Sequence, residues 1–71
     1  MRTFTMVVEK DLESGWLVGE VVELPGCYTQ APDWPTLEAN MREAIRAWMS
    51  EHDGLEPEAE FVGTMRLEAT V

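Results

Sequence analysis

Seventy-one residues, with fourteen acidic and five basic side chains, a net charge of −9 and one cysteine, describe a single small acidic domain. Charge of that sign repels phosphate backbones, so direct nucleic-acid binding is not expected. One cysteine excludes an internal disulfide, no Cys/His spacing suits a structural zinc, and no apolar run approaches the ~20 residues of a membrane span. The amino terminus reads as strand and carries no signal-peptide core, so a cytoplasmic protein with a reduced thiol is expected. Three tryptophans and five methionines are more large apolar surface than one helix and a few strands cover, which favours self-association.

Residues 3–10 alternate, with Phe4, Met6 and Val8 on one face and Thr3, Thr5, Val7 and Glu9 on the other, the pattern of a half-buried strand. Asp11 to Gly15 is a polar hairpin loop. A second strand is expected over Trp16–Leu24. Trp16, Val18, Glu20 and Val22 point one way, and Leu17 and Val21 the other around Gly19. Apolar groups on both faces suggest a central strand, or a sheet covered on both sides. Leu24-Pro25-Gly26 turns the chain, proline by fixing φ and glycine by admitting positive φ. Cys27 to Gln30 then forms a short third strand.

Ala31 to Pro35, with two prolines, reads as a loop that includes Trp34. Thr36 is the expected helix N-cap, and Glu38 the acidic residue of the first turn. Leu37, Met41, Ala44, Ile45 and Trp48 form one apolar stripe, with Glu38, Arg42, Glu43, Arg46 and Ser50 opposite. Glu38 and Arg42 are an i,i+4 ion pair. Asp53-Gly54 stops the helix, and Pro57 forbids its resumption. From Phe61 to Val71 the alternation returns as a fourth strand. The expected order is β-β-β-α-β, an α+β fold with a small sheet and one helix packed on one face, in one domain over 1–71.

Nothing in this pattern assembles a catalytic group. His52 falls at the end of the helix with no nucleophile beside it, and Cys27 has no neighbouring base, so it reads as a small core residue. Glu9, Asp11, Glu20, Glu23, Glu38 and Glu43 could in outline supply the carboxylates of a magnesium-dependent nuclease. Periodicity does not bring them together, however, and basic groups to hold a nucleic acid are few. No metal or cofactor site is expected.

Three stretches, Val7-Val8-Glu9-Lys10-Asp11, Glu23-Leu24-Pro25-Gly26-Cys27-Tyr28-Thr29-Gln30 and Thr36-Leu37-Glu38-Ala39-Asn40-Met41-Arg42-Glu43-Ala44-Ile45, come in an order and at a spacing that resemble the HicB-like antitoxin family. The resemblance implies a partial ribonuclease-H-like fold without nuclease activity. It also implies a small basic partner, a HicA-like messenger-RNA-cleaving toxin whose active site the antitoxin covers, and a homodimer or homotetramer. Many members carry a further C-terminal DNA-binding segment. None is expected here, so operator binding and autorepression are not carried over. The Ala31–Pro35 loop also departs from the shorter turn usual in the family.

A non-catalytic, protein-binding module is therefore the expected function. Glu9, Asp11, Glu20, Glu23 and Tyr28 are the expected partner contacts, and Trp16, Leu17 and Trp34 the expected oligomer contacts. An orphan homo-oligomer with a regulatory or structural role and no toxin is the alternative. A residual magnesium-dependent nuclease is the remote one.

Overall fold

The computed structural model describes residues 2–52 and 59–70. Three strands, β1 (Met6–Lys10), β2 (Leu17–Val21) and β3 (Tyr28–Ala31), are followed by one helix, α1 (Trp34–Glu51). The strands form an antiparallel sheet in the order β1-β2-β3, and α1 packs across one face of it. The α+β architecture is the one the sequence pattern indicates, with shorter strands.

Register decides what the helix covers. Met6 stands opposite Val21, Val8 opposite Gly19 and Lys10 opposite Leu17. Thr29 stands opposite Gly19, and Ala31 opposite Leu17. Gly19 fixes which face this is, because a Cβ there would lie 2.6 Å from Met6 Sδ and 3.4 Å from Met41 Cε of the helix. Val21, Leu24, Cys27 and Met41 form the buried centre, and Ala31 and Leu37 are buried beside it. Phe4, Met6, Ala44, Ile45, Trp48 and Met49 are half-buried around that centre. The helical stripe read from the sequence is thus the one that faces the sheet.

The connection from β2 to β3 is longer than a two-residue hairpin, because β2 ends at Val21 rather than Leu24. The Leu24 amide donates to Val21 O (3.2 Å), the Cys27 amide to Leu24 O (3.0 Å), and the Val21 amide to Cys27 O (2.9 Å). Pro25 and Gly26 are the two central residues of the second of these turns. Gly26 has φ of 82°, as the third position of a type II turn requires. Leu24 is driven inward between the turns and is fully buried. Trp48 ties the loop to the helix, its indole N–H donating to Pro25 O at 2.9 Å.

The helix starts earlier than expected. Asp33, not Thr36, is the N-cap, and its carboxylate accepts from the Thr36 amide at 2.8 Å. Trp34 and Pro35 become the first two helical residues. Proline suits that place, since an amide there has no intrahelical partner. The first turn consequently holds no acidic residue, and Glu38 lies beyond it. Glu38 does pair with Arg42. The C-cap is His52, whose amide donates to Trp48 O at 3.0 Å and whose ring stacks on Trp48 at 3.7 Å. The expected stop at Asp53-Gly54 and the role of Pro57 lie outside the described residues.

The fourth strand is not formed over the described part of its range. Residues 59–70 carry no regular structure and are exposed throughout. Alternation states which side chains of a strand share a face, but a strand also needs a neighbouring edge to receive its amides. Among the described residues no such pairing occurs.

Candidate functional site: the uncovered face of the sheet

Since α1 covers one face, the other is left open, and the register populates it. Val7 stands opposite Glu20, which in turn stands opposite Tyr28. Glu9 stands opposite Val18, which stands opposite Gln30. Two cross-strand rows therefore lie side by side, Val7–Glu20–Tyr28 and Glu9–Val18–Gln30. Directly opposed residues have Cβ atoms about 5 Å apart, and diagonal neighbours such as Glu9 and Glu20 about 7–8 Å. Glu9 and Glu20 are exposed, and Tyr28 is 67% exposed on an edge strand. Val18, Tyr28, Thr29 and Gln30 line a depression of about 230 Å³ along the edge strand β3. The face thus offers two carboxylates, Glu9 and Glu20, interleaved with Val7, Val18 and the Tyr28 ring.

Three of the five expected partner contacts, Glu9, Glu20 and Tyr28, are brought together here. The other two serve the fold. Asp11 accepts from the Glu13 amide (3.1 Å) through one carboxylate oxygen and from Ser14 Oγ (3.0 Å) through the other, and its own amide donates to Trp16 O (2.9 Å). It organises the β1–β2 loop, where Gly15 supplies a φ of 77°. Glu23 accepts from the Thr5 amide at 2.8 Å, holding the chain before β1 against the β2–β3 loop. Partial desolvation would raise its pKa. The hydrogen bonds from Thr5 and from its own backbone outweigh that and hold the carboxyl below its ordinary value.

The expected oligomer contacts divide as well. Trp16, just before β2, and Trp34, at the start of α1, are both exposed. Leu17 lies on the other face from Trp16. Its register with Ala31 and Lys10 puts it on the helix-covered face, where it is half-buried. Val7, Val18 and Gln30 were not singled out in the sequence, although the alternation already placed Val7 with Glu9 and Val18 with Glu20. Only the register shows that the two sets meet.

His52 and Cys27 stand apart from this face. His52 Nδ1 lies 2.8 Å from Trp48 O. A carbonyl can only accept, so that nitrogen carries the proton. Cys27 is buried in the core, and burial raises its thiol pKa, which disfavours the thiolate. Among the described residues, no three His, Cys, Asp or Glu side chains gather as metal ligands would.

A UPF0150 protein of Archaeoglobus fulgidus is 38% identical over 65 residues, covering 92% of this chain and 91% of that protein. The chain belongs to the UPF0150 family. A UPF0150 protein of Synechocystis is 36% identical over 66 residues, covering 93% of each, and one of Thermoplasma acidophilum is 41% identical over 46 residues, covering 65% of each. Within 71 residues, the Synechocystis match includes residues 6–66 wherever it begins, so this UPF0150 chain is similar to its relative through the sheet, the helix and the start of the C-terminal segment. No family model matches the chain, and no solved structure matches it. No helix among its described residues is long and apolar enough to cross a membrane.

Proposed function

We propose that this UPF0150 chain is a non-catalytic protein-binding module that holds a small basic protein on the open face of its sheet, as a HicB-type antitoxin holds a HicA-like toxin. The observation that carries the reading is the grouping of Glu9, Glu20 and Tyr28, with Val7 and Val18, on one uncovered face. Two exposed carboxylates beside an aromatic ring are a match for a lysine or arginine side chain. The ring covers the alkyl stem, and the carboxylates take the charge. The net charge of −9 steers a basic partner towards the chain before any contact forms. Binding there covers the partner's active site, and no reaction on the antitoxin side is needed. The cytoplasm, where Cys27 stays a thiol, is the proposed compartment.

The test is a titration of the full chain with small basic HicA-like proteins from the same genome. Micromolar or tighter binding at low salt is expected. The double variant Glu9→Lys, Glu20→Lys should weaken it by about tenfold or more, chiefly through slower association. An absence of binding at low salt would sink the reading.

A second reading keeps the open face as a contact between copies of the chain, in an orphan oligomer without a toxin. The exposed ring of Trp16, which shares the parity of Val18 and Glu20, favours it. A complex between copies whose contacts fall on Val7, Glu9, Val18, Glu20 and Tyr28, with no basic partner bound, would decide for it.

A further inference from the structure

The segment 59–70 and the open edge of β1 fit each other. Phe61, Met65 and Leu67 share one parity of an alternating run, and in the single chain Met65 and Leu67 are 79% and 81% exposed. Such a run of large apolar side chains in water is unfavourable for the chain as it stands. The radius of gyration, 13.7 Å, exceeds the about 11 Å of a compact chain of this length.

The sheet has two edges, and they differ. The β3 edge is crowded by the helix that follows it, and Asn40 Nδ2 already reaches the Gln30 carbonyl at 3.5 Å. Among the described residues, the β1 edge has no strand on its outer side. Beside it, between β1 and α1, runs an apolar groove of about 150 Å³ lined by Phe4, Met6, Val21, Met41 and Ile45, with Glu38 and Arg42 at its mouth. A groove of that volume has room for a methionine, leucine or phenylalanine side chain.

We propose that the occupant of this edge is residues 61–70 of a second copy, so that two chains exchange their C-terminal segments and each completes the other's sheet as a fourth strand. The exchanged strand satisfies the unpaired β1 amides and carbonyls, which are otherwise an aggregation hazard. It seats Met65 in the groove against Met6 and Ile45, with Leu67 beside it on the same parity. A two-fold axis makes the exchange reciprocal and closes the assembly at two chains. A second copy is favoured over the chain's own segment because the groove stays open while the segment that would fill it stands exposed on the same chain. The start of the segment also lies within the span matched by the Synechocystis relative. The exchange does not rest on the antitoxin reading, and holds with or without a toxin.

The experiment uses the full chain alone. Its mass is measured in solution by light scattering, and isotope-filtered NOEs are recorded on a mixture of labelled and unlabelled chains. The expected result is twice the chain mass, with intermolecular NOEs from the Met65 and Leu67 methyls to Phe4 and Ile45. Met65→Asp should halve the mass with the far-ultraviolet circular dichroism of the body retained, and Thr64→Asp, on the opposite parity, should leave the mass unchanged. A wild-type monomer, NOEs confined to one chain, or a Met65→Asp protein that keeps the doubled mass would overturn the exchange. None of these outcomes bears on toxin binding, so the two proposals fail separately.

Discussion

At the residue scale, the stretch Glu23-Leu24-Pro25-Gly26-Cys27 serves the fold at every position. Glu23 receives the Thr5 amide, Leu24 and Cys27 enter the core, Pro25 offers its carbonyl to Trp48, and Gly26 supplies the positive φ. Trp48→Phe keeps most of the apolar area but loses one hydrogen bond, and about 1 kcal/mol of stability should go with it in a urea titration. Gly26→Ala forces a side chain into the left-handed region and should cost about 1–2 kcal/mol, although nothing stands near enough to clash with the new Cβ. Glu23 titrates below its ordinary value in the folded chain. Its contribution is therefore present above the unfolded carboxyl pKa and is lost as pH falls through the lower, folded value. The difference in melting temperature between wild type and Glu23→Gln should accordingly be largest near neutrality and vanish in acid. A difference that grew on acidification would contradict that role.

Among the elements, the helix was the most legible in the sequence and the last strand the least. The stripe from Leu37 to Trp48 follows from a period of 3.6, and a helix satisfies its backbone internally, so local pattern suffices. Leu37 is fully buried, and Leu37→Ala should cost about 2–5 kcal/mol, read from the denaturation midpoint. The start of the helix was misread at Thr36 because the proline at position 35 looked like a breaker, whereas in the first turn proline is tolerated and Asp33 caps it. Asp33→Ala should lower the melting temperature and expose the first-turn amides to faster hydrogen exchange. Strands are different, because their partners are remote in sequence. Alternation sorted Val7 with Glu9 and Val18 with Glu20, but not the register that sets Glu9 beside Val18 and Glu20 beside Tyr28. It likewise marked residues 61–71 as strand-like without saying which edge would take them. Asp11 and Glu23 were grouped with the site by charge alone, since nothing local shows that a carboxylate is already holding a loop.

For the whole molecule, one helix over a three-stranded sheet leaves two unfinished surfaces, the open face and the β1 edge with its groove. They point in different directions and are assigned here to different occupants, a basic protein and a second copy. The acidic balance should make the first interaction strongly salt-dependent, while the strand exchange, being apolar and backbone-mediated, should persist at high salt. The most direct test of the central proposal maps the partner's footprint by amide chemical-shift changes as the basic HicA-like protein is titrated into labelled chain. The account predicts that the largest changes fall on Val7, Glu9, Val18, Glu20, Tyr28 and Gln30. Changes concentrated on the exposed side of α1, with the open face silent, would contradict it.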